Sequence, residues 1–237
     1  MSIFISASLL NDFISCNRKV YYRLIKPEQS IPSREMIMGE IVHAGIEKFL
    51  MDKESSLAYM YKEVMDRIPN DKSALISVAE YNNVYHSYFK PLLLPEDNIE
   101  MKFKIPYDKD TFVVGKIDRI SNGNVFDWKT DRTPQTNVSN NIQFILYNWA
   151  YRKIYNHQPS GVYYAALANG KLVKFNFNSK IEGVVLNEII PSVIKAIKNK
   201  EYIRNGILRK ACFRCVYSDT CLEEFNHELD SSTSTTK

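Results

Sequence analysis

The chain has 237 residues, 45% of them hydrophobic, with only 8 Gly and 9 Pro, which excludes fibrous, collagen-like and low-complexity proteins and suffices for one large domain or two small ones. A net charge of +4 permits an anionic partner such as nucleic acid without requiring one. No apolar run nears the roughly 20 residues of a membrane span, and the N-terminus (MSIFISASLLNDF) makes a poor signal peptide, so the four cysteines are expected in the cytoplasm, where disulfides are rare.

In chain order, residues 1–5 are a short apolar lead. Ser6 or Ser8 can cap a helix carrying Leu9, Leu10, Phe13 and Ile14, with Cys16 at its end. A basic-aromatic segment follows (Arg18, Lys19, Tyr21, Tyr22, Arg23), then a loop between Pro27 and Pro32. The apolar stripe Met38, Ile41, Val42, Ile46, Phe49, Leu50 predicts a long helix over 34–52. Two further helices, over 56–67 and 72–89, read as a helical insertion (about 53–95) within a single domain of 1–229. From Asn98 the pattern becomes strands. A polar loop over 130–139, a helix over 140–155, a hairpin around Asn169-Gly170 and a helix over 181–202 complete the folded part, and 230–237 (DSSTSTTK) reads as a disordered tail.

The stretch 112–129 organises the rest. Two alternating runs, FVVGKIDRI and VFDWK, flank Asn122-Gly123, the strongest short signal for a two-residue hairpin turn. If those two residues are the loop, Ser121 pairs with Asn124, and counting outward sets Asp118 opposite Asp127 and Lys116 opposite Lys129, all on one face. Val113, Ile117, Phe126 and Trp128 take the other face. Facing carboxylates about 5 Å apart repel, and a divalent cation between them is the simplest remedy, with a lysine beside it to meet an anionic substrate. The bland alternative is a solvated face of mixed charge.

Other residues could join such a site. His43 lies one helical turn beyond Gly39; the glycine costs its helix roughly 1 kcal/mol against Ala, which suggests a close approach there. Histidine with two carboxylates suits Mg²⁺ or Mn²⁺. Lys129, held protonated by neighbouring carboxylates, could stabilise developing charge. Gln143 and Tyr147 share a helix face and could line a cleft. Cys212-x2-Cys215-x5-Cys221 is a compact thiol cluster with Cys16 nearly a chain length away; four thiolates can bind zinc or an iron–sulfur cluster, and the spacing does not separate the two. Arg18, Lys19, Arg23 and Lys116, with other lysines interleaved among Tyr and Phe, could form a single-strand groove if they converge on the hairpin face.

Taken together, Gly39-x3-His43, Gly115-Lys-Ile-Asp118-Arg, Asp127-Trp-Lys129-Thr and Gln143-x3-Tyr147, in that order, resemble the RecB-like branch of the PD-(D/E)xK nuclease superfamily. Cys16 with the C-x2-C-x5-C cluster resembles its iron–sulfur members, which include the AddB nuclease domain and a CRISPR-associated spacer-acquisition exonuclease. The resemblance spans about 6–221. It implies an α/β nuclease core, a central mixed sheet flanked by helices, with a helical N-terminal part and a cysteine-bound C-terminal segment. It implies Mg²⁺ or Mn²⁺ on His43, Asp118, Asp127 and the Trp128 carbonyl, Lys129 as the catalytic lysine, and Gln143 and Tyr147 supporting the site and contacting DNA. Cys16, Cys212, Cys215 and Cys221 would hold a structural [4Fe–4S] cluster, Zn²⁺ being the alternative. The implied activity is DNA hydrolysis, as an exonuclease on single strands or ends, with partners in recombination and repair or CRISPR adaptation; the other reading is a DNA- or partner-binding protein on a vestigial nuclease scaffold. Ile117 stands where the superfamily name has proline, and Asn17 follows Cys16 where relatives often have proline. The absence of G-x4-GK[ST] implies a nuclease with no attached helicase motor. Oligomeric state and strand polarity are left open.

Overall fold

A computed structural model describes residues 2–27, 32–94, 98–133, 135 and 138–233. By contacts among its own residues the chain divides into two compact units, 1–7 with 34–186 and 8–33 with 187–237, where the sequence suggests one domain.

The first unit is an α/β fold. Its mixed six-stranded sheet comprises β1 (Ile3–Ile5), β2 (Asn98–Pro106), β3 (Thr111–Ser121), β4 (Asn124–Lys129), β5 (Gly161–Ala166) and β6 (Lys171–Lys174). The order is β1-β3-β4-β5-β6, with β2 also on β3. β1 and β3 run parallel, as do β4 and β5; the other pairs are antiparallel. The lead over residues 1–5 thus contains a strand that its three-residue length hides in the sequence.

The β3–β4 turn is as expected: Ser121 pairs with Asn124, and Asn122 and Gly123 take φ of 45° and 73°, the left-handed pair that Asn-Gly accommodates. The ladder, however, stops at Arg119–Phe126, so neither Asp118–Asp127 nor Lys116–Lys129 forms a backbone pair. β2 pairs along 112–120 of β3, while β1 holds 111–113 and β4 holds 119–121. A strand has two edges, so β1 and β4 share one, and β3 between 114 and 118 has no strand beside it there. Everything chemical in this unit gathers at that gap.

Helices α3 (Arg34–Asp52), α4 (Ser56–Arg67) and α5 (Lys72–Val84) pack with Phe126, Trp128 and Ala165 of the sheet, and with Leu167 just after it, into one apolar core. The helix expected over 72–89 widens into a π turn at Tyr85–Phe89. That turn brings both Tyr85 and Phe89 onto the fully buried Trp128, at 5.5 and 5.7 Å between ring centres. Trp128 is therefore an anchor for the strand that carries Asp127 and Lys129; truncating such a residue to Ala costs about 3–5 kcal/mol. Helix α6 (Ile142–Tyr155) starts at Asn141, whose side chain accepts from the Gln143 and Phe144 amides, and buries Phe144, Ile145, Leu146 and Tyr147.

The second unit contains α1 (Ala7–Ser15), α2 (Asn17–Ile25), α8 (Ile190–Asn199) and α9 (Ser218–Thr233). The helix expected over 181–202 runs without a break from 179 to 199 but widens midway: α7 (Ser179–Val184), a π turn (Val185–Ile189), then α8, with Pro191 directly after the π turn. Helix α9 takes in 230–233 of the expected tail; 234–237 lie outside the described residues. Among the described residues no helix is long and apolar enough to cross a membrane.

Candidate functional site

Asp118 lies on β3 beside the gap, 4% exposed. Its Oδ2 accepts the Trp128 backbone N–H at 2.8 Å, so a side chain occupies the place of the missing ladder bond. Its Oδ1 lies 3.4 Å from His43 Nδ1. The other imidazole nitrogen, Nε2, donates to the Trp128 carbonyl at 2.8 Å. That carbonyl, implied as a metal ligand by the resemblance, here accepts from the histidine.

Glu100 completes the group. One ligand atom from each of His43, Glu100 and Asp118 lies within 4.8 Å of the others, the one such set among the described residues. Glu100 sits opposite Asp118 in β2, with Ile99–Arg119 and Met101–Ile117 paired on either side. Its φ of 51° is unusual for a non-glycine residue inside a strand and costs of order 1–3 kcal/mol. The sequence reading missed it. The only available signal was a lone acid in an apolar-basic strand, IEMKFKI.

Asp127 is not in that set. The strands part at 118/127, and each buried carboxylate finds its own partner: Asp127 Oδ2 takes the Lys129 ammonium at 2.6 Å, and its Oδ1 lies 3.3 Å from the Tyr147 hydroxyl. Lys129 Nζ also donates to Gln143 Oε1 at 2.8 Å, Gln143 Nε2 donates to the Tyr147 hydroxyl at 2.7 Å, and that hydroxyl donates to the Lys116 carbonyl at 2.5 Å. The last bond ties α6 to β3. Gln143 and Tyr147 thus hold the lysine against the sheet; Tyr147, 4% exposed, is too deep to touch a macromolecule.

Burial alone would raise the Asp118 carboxyl, but His43, the Trp128 N–H and Lys129 outweigh it and hold the group below the usual range. Burial pushes Asp127 up to about 6 against the pull of Lys129, with Asp118 adding to the rise. Burial and Asp118 together lift Glu100 to about 7. For His43, burial disfavours the cation, yet Asp118 more than offsets it and the imidazole rises to about 9. Lys129, likewise buried, is kept cationic by Asp127 and Asp118.

Of these groups His43 and Lys129 line a cavity of about 460 Å³, together with Gly39, Glu40, Ala44, Glu47, Lys116, Trp128, Thr130 and Asp131. At Gly39 an added Cβ would meet only Thr130 Oγ1, at 3.6 Å. Among the described residues none crowds this glycine, which lines the cavity. The loop leaving Lys129 is pinned by Tyr81, which donates to the Thr130 carbonyl at 3.0 Å, and by Tyr164, which donates to Asp131 at 2.9 Å.

The cations expected to form a basic groove each face an acid of their own unit. Lys116 is ion-paired with Glu100 and lies 3.8 Å from Glu47. Arg18, Lys19 and Arg23 belong to the second unit, where Arg18 bonds Glu224 at 2.7 Å and Lys19 and Arg23 bond the buried Asp12 at 2.7 and 2.6 Å. Each cation is engaged by a carboxylate of its own unit.

The four cysteines are free thiols and line one cavity of about 230 Å³ in the second unit. Gly206 makes room for it: a Cβ there would sit 2.8 Å from Cys16 Cβ and 2.9 Å from its Sγ. Burial pushes the Cys212 and Cys215 thiols up.

Comparisons with known proteins agree with the fold. A Eubacterium rectale protein of known structure, described as a putative exonuclease, superposes with a TM-score of 0.58 at 12% identity, covering 90% of this chain and 88% of that one. The structure of SSO0001 gives a TM-score of 0.38 at 12% identity over 89% of this chain and 93% of that one, and carries nothing further. No curated protein matches. The profile of the PD-(D/E)XK nuclease superfamily matches residues 5–222, a span that contains every residue of the site: the chain belongs to that superfamily.

Proposed function

We propose that the protein is a Mg²⁺- or Mn²⁺-dependent DNA nuclease, acting as an exonuclease on single strands or DNA ends. The observation that carries the reading is the convergence of His43, Glu100 and Asp118 ligand atoms within 4.8 Å of one another, beside the buried Asp127–Lys129 pair. One imidazole and two carboxylates form a hard, oxygen-rich donor set suited to Mg²⁺ or Mn²⁺ rather than to a thiophilic metal. His43, Glu100 and Asp118 would hold the ion, with Asp127 close by; a bound divalent ion supplies an activated water and neutralises charge on the phosphate.

The chain's own residues do the rest. Lys129 spends two of its three N–H donors on Asp127 and Gln143; the third is available to a non-bridging phosphate oxygen in the cavity, where it stabilises the charge that grows during attack. Asp127 fixes the ammonium and keeps it protonated. Gln143 and Tyr147 fix its height above the sheet. Trp128 orients His43 through its carbonyl and Asp118 through its N–H. The test is digestion of end-labelled single- and double-stranded DNA with each metal, with EDTA and Asp118→Asn as controls. Metal-dependent shortening from an end, lost in the variant, supports the reading; DNA that is bound but left whole with either metal overturns it in favour of a binding protein.

The second unit is proposed to hold a [4Fe–4S] cluster on Cys16, Cys212, Cys215 and Cys221. All four sulfurs line one cavity, yet among the described residues no three of them come within 4.8 Å of one another. Zinc–sulfur bonds of about 2.3 Å put tetrahedral sulfurs roughly 3.8 Å apart; this wider cage suits a polynuclear cluster better than one zinc ion. Iron and acid-labile sulfide in anaerobically purified protein support this; zinc alone in a colourless protein contradicts it.

A further inference from the structure

The cysteine cavity has a second set of residues. Arg18, on α2, and Arg204, after α8, both line it. The outer edge of each guanidinium is engaged: Arg18 Nη2 donates to Glu224 at 2.7 Å, and Arg204 Nη1 and Nη2 donate to the two Glu228 oxygens at 2.7 and 2.8 Å. The inner donor is not. Nε of Arg18 and Nε of Arg204 are both buried with no hydrogen bond formed among the described residues, and the Arg204 guanidinium lies within reach of the Cys221 sulfur. A buried donor on a charged group is costly to leave without an acceptor. Two of them in the wall of one small cavity call for an anionic acceptor inside it.

The thiols explain which. Arg204 lies beside Cys221, as does the Tyr22 hydroxyl, which itself donates to Glu224 at 2.7 Å. Four thiolates around a [4Fe–4S] core carry a net charge of −2 when oxidised and −3 when reduced. The fixed charges around them are Arg18, Lys19, Lys26 and Arg204 against Asp12, Glu224 and Glu228, which leaves one positive charge. Hydrogen bonds to cluster sulfur and nearby positive charge both favour the reduced form and raise the potential.

We infer that Arg18 and Arg204 are positioning residues of the cysteine site, whose Nε–H groups donate to cluster or thiolate sulfur and set the reduction potential of the bound cluster. The inference rests on the iron–sulfur reading above. It gives the site a function beyond stapling the chain: the cluster is reducible by one electron at a potential that the two arginines raise.

The test uses the full chain, purified anaerobically, as parent, Arg18→Gln, Arg204→Gln and Arg204→Lys. Iron and sulfide are counted first, then each sample is titrated with dithionite and followed by visible absorbance and by the paramagnetic signal of the reduced cluster. A parent without iron defeats the iron–sulfur reading and this inference with it. A parent with four irons per chain and glutamine variants that keep the iron but titrate at a more negative potential supports the inference, with Arg204→Lys falling between. Iron-loaded variants that titrate with the parent overturn it and leave the cluster standing. Should a variant fail to load, the parent alone decides: N–H···S bonds shift the iron–sulfur stretching bands on exchange into D2O, and bands that do not move overturn the inference.

Discussion

The Asp118 carboxylate accepts the backbone N–H of Trp128 at 2.8 Å, Asp118 lying one residue and Trp128 two beyond the last pair of the β3–β4 ladder, Arg119–Phe126. A side chain thus replaces the backbone where the two strands part, and the same peptide's carbonyl holds His43. Asp118 is therefore both a proposed ligand and a structural acceptor, and a substitution should separate the two roles. Asp118→Asn keeps an oxygen for the Trp128 amide but loses the charge. Cleavage should fall about 10²–10³-fold, the scale of losing one preorganised charge in a site, with a melting temperature within a few degrees of the parent. Unchanged turnover in the variant removes Asp118 from the mechanism.

Glu100 is held at φ 51° within a strand, a conformation that glycine adopts without cost. Glu100→Gly should be no less stable than the parent in urea, despite the lost side chain, because backbone strain and a buried carboxylate beside Asp118 both disappear. Its Mn²⁺ affinity should fall at least tenfold. A variant that is clearly destabilised and binds Mn²⁺ normally contradicts the assignment of Glu100 to the site.

Metal binding should depend steeply on pH. Without metal the His43 imidazole titrates at about 9 and Glu100 at about 7, so an incoming ion displaces their protons. Mn²⁺ affinity should rise about tenfold per pH unit between 7 and 8.5, where one proton leaves, and more steeply below 7, where two leave. Calorimetry in buffers of different ionisation enthalpy counts those protons directly; none released across this window refutes the arrangement.

The Asp127–Lys129 pair gives a test by double mutation. Lys129→Ala strands a buried carboxylate and should cost about 3 kcal/mol, with loss of cleavage. Adding Asp127→Asn should recover part of the stability and none of the activity. If the double variant is as unstable as the sum of the singles, the two groups are not coupled as the 2.6 Å contact requires.

In the second unit, burial would raise the Glu224 carboxyl, but Lys26, Tyr22 and Arg18 outweigh this and hold it at about 2 against 4.5 for a free group. A folded-state value below the unfolded one adds stability that is complete above about pH 5 and gone below about pH 2. Acid unfolding of Glu224→Gln should accordingly be flatter than that of the parent between pH 5 and 2. Parallel curves would show that the acid carries no such linkage.

Much of this was legible beforehand because the signals were local. Asn122-Gly123 placed the hairpin, the Met38-to-Leu50 stripe placed α3, and the order of His43, Asp118, Asp127 and Lys129 pointed to the superfamily whose profile the chain matches. What stayed hidden depends on long-range pairing. Extending the turn's register through Asp118–Asp127 assumed that the ladder continues, yet like charges in the interior drive the strands apart and onto separate partners. Glu100 could not be seen because its importance comes from a left-handed backbone opposite Asp118, and sequence carries neither the register nor the φ. The basic residues looked available for DNA because their acids, Asp12, Glu47, Glu100 and Glu224, are remote in sequence from most of them.

Anomalous diffraction from a crystal grown with manganese addresses the centre of the account. One strong peak is expected within bonding distance of His43, Glu100 and Asp118, with Asp127 still on Lys129. Crystals whose manganese lies elsewhere, leaving those three side chains without an ion, would contradict it.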